Sequence, residues 1–216
     1  MAEQAATTAT TRTGTTSVGI DIADLKPGLG DSVHDSQRIF RSLLEIMARP
    51  GKVIDLEHDL DVPAPLDVAS AAALLTLCDQ DTPLWLDWIA DTPPLRAYFA
   101  FHCGVPLVER SQDAAFALVS DPSSMPRFAL FAQGLDQYPD RSATLVIQTE
   151  SLNEGPQVML SGPGIPEKVS LRAAGLPEWF WNDWRLNAAQ FPLGVDLFLT
   201  AGRSIVGLPR TVVVET

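Results

Sequence analysis

The sequence predicts an α/β fold, a single-domain mixed β-sheet flanked by helices. Three observations carry this. Through the first half, segments with helical spacing of apolar residues alternate with short strand-like runs. The second half sets several strand signals side by side, which calls for antiparallel neighbours within a mixed sheet. No internal repeat or long linker interrupts residues 18–216, so they are expected to form one domain.

Residues 1–17 hold seven threonines, one arginine and no large apolar periodicity, which predicts a disordered tail. Ile39, Phe40, Leu43, Leu44 and Met47 then fall at helical spacing. Ser32 or Asp35 is the expected cap of that helix, and Ala48-Arg49-Pro50-Gly51 ends it. Lys52 to Leu56 reads as a short strand. Asp67 to Asp79 is a second, alanine-rich helix with Ala71, Leu74, Leu75 and Cys78 on one stripe, broken by Asp81-Thr82-Pro83. Leu84-Trp85-Leu86 reads as a buried strand, and Leu95 to Cys103 as a third helix behind Pro93 and Pro94.

Ala115 to Ser120 is a strand closed by Pro122, while Phe128 to Ala132 fits helix or strand equally. Ala143 to Thr149 is the clearest strand by β-branched content. Gln157 to Leu160 and Lys168 to Leu171 are expected to pair as a hairpin across Gly162-Pro163-Gly164. Leu176 to Gln190 reads as a helix with Pro177 in its first turn. Val195 to Leu199 and Ser204 to Leu208 are strands joined at Ala201-Gly202-Arg203, and Val212 to Val214 is expected to extend the sheet.

Charge narrows the function. Over 216 residues, 27 acidic groups face 15 Lys and Arg, a formal net charge of -12. That field repels phosphate backbones and argues against nucleic acid as a partner. No apolar run approaches the roughly 20 residues that span a bilayer, so no membrane role is expected. The N-terminus lacks the basic-then-apolar order of a secretory signal. Cys78 and Cys103 sit in apolar surroundings and read as reduced, buried thiols, which together point to the cytoplasm.

The residues offer little catalytic chemistry. His34, His58 and His102 are scattered and there is no Cys-x-x-Cys, so no metal site is expected. Ser161-Gly162-Pro163-Gly164 lacks the Lys-Ser/Thr of a phosphate loop and the third glycine of a dinucleotide site. Gly162 and Gly164 read as a turn needing positive φ, or as a close backbone approach to a ligand or partner. The only lysines, Lys26, Lys52 and Lys168, all look exposed, and none suits a Schiff base. Arg49 closes a helix, where a cation is favoured, or it contacts an anion. Arg210 follows a strand end, where α/β ligand clefts open, and is a second candidate anion contact beside the plain reading of a solvated arginine. Trp179, Phe180, Trp181 and Trp184 cover nearly all sides of one helix, which predicts core on one side and a subunit interface on another.

Five strings in register carry a resemblance: Phe40-Arg41-Ser42-Leu43-Leu44 with Met47-Ala48-Arg49-Pro50-Gly51; Leu74-Leu75-Thr76-Leu77 with Asp81-Thr82-Pro83-Leu84-Trp85-Leu86; Ala143-Thr144-Leu145-Val146 followed by Leu160-Ser161-Gly162-Pro163-Gly164-Ile165; Phe191-Pro192-Leu193-Gly194-Val195-Asp196-Leu197; and Leu208-Pro209-Arg210-Thr211. From about Asp31 to Thr211 the chain resembles the PhnH family, whose members belong to the carbon–phosphorus lyase complex of bacterial phosphonate catabolism. The resemblance implies a fold like the large domain of pyridoxal phosphate-dependent transferases, without the cofactor. It implies a homodimer that also joins subunits G, I and J, and that works with G, I and L. Those subunits support displacement of adenine from MgATP by a phosphonate, giving ribose 1-phosphonate 5-triphosphate. A separate radical iron–sulfur subunit then cuts the C–P bond.

The resemblance supplies no catalytic residue. The candidates are therefore Arg49, Gly162, Gly164 and Arg210 for binding and Trp179, Trp181 and Trp184 for an interface. A non-catalytic complex subunit is the leading expectation. A free-standing small-molecule enzyme with a site at its homodimer interface is the alternative. A degenerate pyridoxal phosphate protein that still binds cofactor is the third.

Overall fold

Asp31, rather than Ser32 or Asp35, caps the first helix: its carboxylate accepts the N–H groups of Val33 and His34 at 3.2 and 3.0 Å. The computed structural model describes residues 25–57 and 60–215, so the expected tail at 1–17 and His58 lie outside the described residues. Helix α1 (Ser32–Ala48) stops where Pro50 and Gly51, at φ +84°, turn the chain. Helix α2 (Val68–Leu77) is capped by Asp67, and α3 (Pro93–His102) by Thr92 with both prolines in its first turn. The alanine-rich α2 is buried on every side from Ala69 to Leu74, not along one stripe. Helix α4 (Phe180–Ala188) is shorter than the sequence suggests, because the chain around Pro177 forms turns before Trp179.

Seven strands make the main sheet. They are β1 (Ile54–Asp55), β2 (Leu84–Leu86), β3 (Leu107–Val108), β4 (Phe116–Val119), β7 (Thr144–Gln148), β10 (Asp196–Ala201) and β11 (Ser204–Leu208), in the order β1-β11-β10-β7-β4-β2-β3. From β10 to β3 all neighbours are parallel, and only β11 runs against them, paired antiparallel with β10 and β1. A hairpin, β5 (Gln133–Leu135) with β6 (Tyr138–Ser142), stands apart. It follows a 3-10 turn over Phe128–Leu130, the segment that periodicity leaves open.

The remaining strands, β8 (Gln157–Ser161), β9 (Val169–Arg172) and β12 (Val213–Glu215), form a separate antiparallel sheet in the order β12-β8-β9. The β8–β9 hairpin is as expected. Strand β12 corrects the sequence reading: it pairs with β8 and does not extend the main sheet.

Alternation along the central strands divides the core in two. Leu118, Val146, Phe198 and Ile205 point to one face, under Ile39, Leu43 and Ile46 of α1, α2, and Leu95 and Phe99 of α3. Ala117, Val119, Leu145, Ile147, Leu197 and Leu199 point to the other, under α4 and the small sheet. The order is therefore helices, sheet, and a mixed third layer. Each fully buried large aliphatic side chain here contributes roughly 1.5–3 kcal/mol of transfer free energy.

Candidate functional site

The parallel strands end together, and that edge is where open α/β sheets accept ligands. From β2 the chain crosses through α3 to β3, then returns past β2 to β4, β7 and β10. The strand order therefore reverses between β2 and β4. At that point Asp87, buried at the end of β2, accepts the backbone N–H groups of Ser120 at 2.6 Å, Asp121 at 2.9 Å and Ala90 at 2.7 Å. The Ser120 hydroxyl adds a bond at 2.8 Å. A carboxylate of the chain itself thus takes the donors that an anionic ligand would use in this position.

Beside it lies a cleft of about 520 Å³ whose lining includes Asp67, Ser120, Asp121, Gln148, Thr149 and Glu150. Asp67 anchors it. One oxygen accepts the Ser70 N–H at 2.7 Å and the other the Thr200 hydroxyl at 2.9 Å, with Ser70 and Thr200 joined at 2.8 Å. Gln148 receives the Asp67 N–H at 2.6 Å and donates to the Pro65 carbonyl at 2.9 Å. Burial pushes the Asp67 carboxyl above the usual carboxylate range, against the pull of its hydrogen bonds. Among the described residues, no Lys, Arg or His lines this cleft. Its field is negative, which opposes a phosphonate or triphosphate unless another chain supplies the base.

The proposed binding residues lie at the opposite edge. Because β11 is antiparallel, its C-terminal end sits with the N-terminal ends of the parallel strands, which corrects the expectation that Arg210 opens onto the ligand edge. Nor is Arg210 solvated, since its side chain is 12% exposed. It pairs with Asp196 at 2.5 Å and donates to the carbonyls of Pro139 at 3.0 Å and Pro192 at 3.2 Å and to the Ser142 hydroxyl. With Nε on Asp196 at 3.1 Å, all five guanidinium donors end on acceptors of this chain.

Gly162 and Gly164 have φ of +132° and +81°. The close backbone approach they allow is to the chain itself. A Cβ on Gly164 would meet the Ala48 carbonyl oxygen at 2.2 Å, and one on Gly162 the Thr211 oxygen at 2.9 Å. Arg49 is exposed at the end of α1 and reaches Glu45 at 3.5 Å. So the strings around Arg49, Gly164 and Arg210, distant in sequence, pack on one another through backbone.

The tryptophans divide. Trp184 is fully buried and donates to the Val212 carbonyl at 3.0 Å, and Trp181 is buried beside Phe180. Both side chains are spent in the chain's own core. Trp179 is partly covered, with the Arg127 guanidinium 4.0 Å above its ring. The exposed large apolar residue of α4 is Leu186.

Sequence reasoning does not single out Asp67, Asp87, Gln148, Asp196 or Thr200 as site residues. Only Asp67 carries a signal, an Asp three residues before Ser70 at a helix start.

The other candidate chemistry is quiet. Lys26, Lys52 and Lys168 are exposed and paired with Asp61, Glu45 and Glu215 at 2.7, 2.6 and 2.5 Å, so none is a desolvated amine. Cys78 and Cys103 are free thiols. Burial pushes Cys78 well up and Cys103 to about 11, away from the reactive thiolate. No group of three or more His, Cys, Asp or Glu placed to hold a metal occurs among the described residues. No described helix is long and apolar enough to cross a membrane.

These features define an α/β protein with a strongly internalised polar framework and an acidic strand-end cleft. Residues 27–215 match the family of bacterial phosphonate metabolism proteins (PhnH), and the chain belongs to that family. It is 40% identical over 185 residues to the alpha-D-ribose 1-methylphosphonate 5-triphosphate synthase subunit PhnH of Rhizobium meliloti (strain 1021), covering 86% of this chain and 92% of that protein. It is 31% identical over 180 residues to a protein of Stutzerimonas stutzeri named "Putative C-P lyase subunit protein HtxG", covering 81% of this chain and 83% of that protein. Its role is that of a subunit in phosphonate catabolism.

Proposed function

We propose that this chain is a non-catalytic but required subunit of a cytoplasmic carbon–phosphorus lyase complex. It supports transfer of a phosphonate to the ribose C1 of MgATP with release of adenine. Its partners are subunits G, I and J, with L acting in the same step, and alone it forms a homodimer. The observation that carries this reading is similarity over nearly the whole length to a protein named as a subunit of that synthase. The acidic cleft supports it: among the described residues its lining holds carboxylates and hydroxyls but no base to neutralise a triphosphate or phosphonate.

The seven-stranded sheet with one antiparallel strand supports likeness to the large domain of pyridoxal phosphate transferases. The exposed, ion-paired lysines support a version of that fold that works without the cofactor. Reconstitution of the co-encoded subunits with and without this chain tests the proposal through adenine release from MgATP and methylphosphonate. The expected result is release only when the chain is present, and none from the chain alone. Turnover by the chain alone would favour the free-standing enzyme.

A further inference from the structure

Where the strand order reverses, one buried carboxylate meets four donors. Asp87 Oδ2 accepts the consecutive backbone N–H groups of Ser120 at 2.6 Å and Asp121 at 2.9 Å. Oδ1 accepts the Ala90 N–H at 2.7 Å and the Ser120 hydroxyl at 2.8 Å. Successive N–H groups turned toward one oxygen are a backbone device for holding anions.

The donors are placed by bonds that do not use this carboxylate. In the turn after β2, the Asp87 carbonyl accepts the Asp91 N–H at 2.8 Å and the Ala90 carbonyl accepts the Thr92 N–H at 2.7 Å. In the turn after β4, the Asp121 carboxylate accepts the Ser123 N–H at 3.0 Å, and Pro122 is buried. The two turns therefore present three N–H groups and a hydroxyl around a space of fixed shape.

That space holds a negative charge without a counter-charge. Asp87 is 2% exposed, and among the described residues every bond of its carboxylate comes from a backbone N–H or a hydroxyl. A buried charge is costly unless fixed dipoles replace its water, which is the arrangement of an oxyanion hole. The surroundings, and not a cation, make this a place for an anion.

We infer that Asp87 is a built-in ligand: it fills from within the chain an anion site at the strand-end edge, a site whose chemistry suits a small carboxylate. Only the link through Cβ makes the occupant part of the protein. Without it, the site takes the same group from solution. Asp87→Ala removes one carboxylate, the size of formate. Asp87→Gly removes one carbon more, the size of acetate. In the wild type the site is closed to free anions, so a phosphonate or triphosphate has to be held elsewhere. The inference does not depend on the reading of the chain as a complex subunit.

The test is thermal melting of the full chain as wild type, Asp87→Ala, Asp87→Gly and Asp87→Asn. Each is melted in about 100 mM sodium formate, acetate or chloride, far above what a four-donor site of millimolar affinity needs. Formate should raise the melting temperature of Asp87→Ala by about 3 °C or more over chloride. Acetate should do the same for Asp87→Gly and less for Asp87→Ala, where its methyl overfills the space. Wild type and Asp87→Asn keep the site filled and should melt alike in formate and chloride. Should Asp87→Ala be too unstable to melt, its refolding yield from urea should be higher in formate than in chloride. Melts or yields of Asp87→Ala and Asp87→Gly that do not distinguish the carboxylates from chloride would overturn the inference. So would a formate rise of the same size in wild type or Asp87→Asn, which would mark a general salt effect.

Discussion

Asp87 and Ser120 are joined twice: the Asp87 carboxylate accepts the Ser120 N–H at 2.6 Å and its hydroxyl at 2.8 Å. The ladder between β2 and β4 ends at Leu86 and Leu118, so this buried carboxylate carries the pairing beyond the strands. It does so where the strand order reverses, the position most often given to a ligand in such sheets. Asp87→Ala would orphan the N–H groups of Ser120, Asp121 and Ala90. A loss of about 3–5 kcal/mol in unfolding free energy is expected by urea denaturation. A change under about 1 kcal/mol would show that water replaces the carboxylate without cost.

Arg210 works as a staple. Its guanidinium joins the hairpin at Pro139 and Ser142, the loop at Pro192 and the start of β10 at Asp196. Arg210→Ala should lower stability by about 3 kcal/mol, because it leaves the half-buried Asp196 unpaired. Arg210→Lys should recover little of it, since one ammonium cannot reach acceptors spread around a planar fork. Thermal melts of the three proteins decide this. A fully stable Arg210→Ala protein that had lost only complex activity would restore Arg210 as an anion contact.

Two glycines with positive φ should respond differently. Gly164 has φ +81° and no room, with the Ala48 oxygen 2.2 Å from a Cβ, whereas Gly202 has φ +63° and open space. Gly202→Ala should cost about 1 kcal/mol for the conformation alone. Gly164→Ala adds a backbone collision that must displace α1 from the small sheet, and should cost well over twice as much. Equal costs in denaturant unfolding would contradict the close packing of this turn.

Asp67 gives a pH signature. Burial raises its carboxyl in the folded chain, so its contribution to stability is complete below the unfolded value of about 3.9 and is lost as pH rises through the folded one. Asp67→Asn cannot titrate. It should be less stable at every pH by about 1–2 kcal/mol, because the amide presents donors to the Thr200 and Gly202 side of the cap. The gap to wild type should narrow as pH rises from about 4 toward neutrality. A gap that widens would reverse the assigned direction.

Much of this fold is legible in the sequence, for reasons visible in particular residues. Helix α1 is bounded by a polar cap and by Pro50-Gly51, both local signals. The β-branched run of β7 and the β8–β9 hairpin are equally local. What is not legible depends on distant pairing. The two residues of β3 gain strand form only beside β2, and β12 pairs across the chain with β8. The direction of β11 decides on which edge Arg210 lies, and no property of Leu208-Pro209-Arg210 states it.

The same divide separates the site residues. The three glycine- and arginine-bearing strings stand out by composition, yet their purpose is mutual contact, since Gly164 fits under Ala48 and Gly162 under Thr211. The carboxylates of the strand-end cleft, Asp67, Asp121 and Glu150, are isolated acids, of which only the helix cap Asp67 carries a local signal. Only the convergence of β2, β4, β7 and β10 gathers Asp87, Ser120, Gln148 and Thr200. The tryptophans of α4 look like an interface because they surround a helix, but a third layer of small sheet and 3-10 turns covers Trp181 and Trp184 from within.

A subunit works inside a complex, and that can be observed directly. The most direct measurement is co-expression of the tagged chain with the co-encoded carbon–phosphorus lyase subunits, followed by affinity capture and determination of mass in solution. The expected result is a stoichiometric assembly containing this chain and its partners. Recovery of the chain alone, folded and free of every co-expressed subunit, would contradict it.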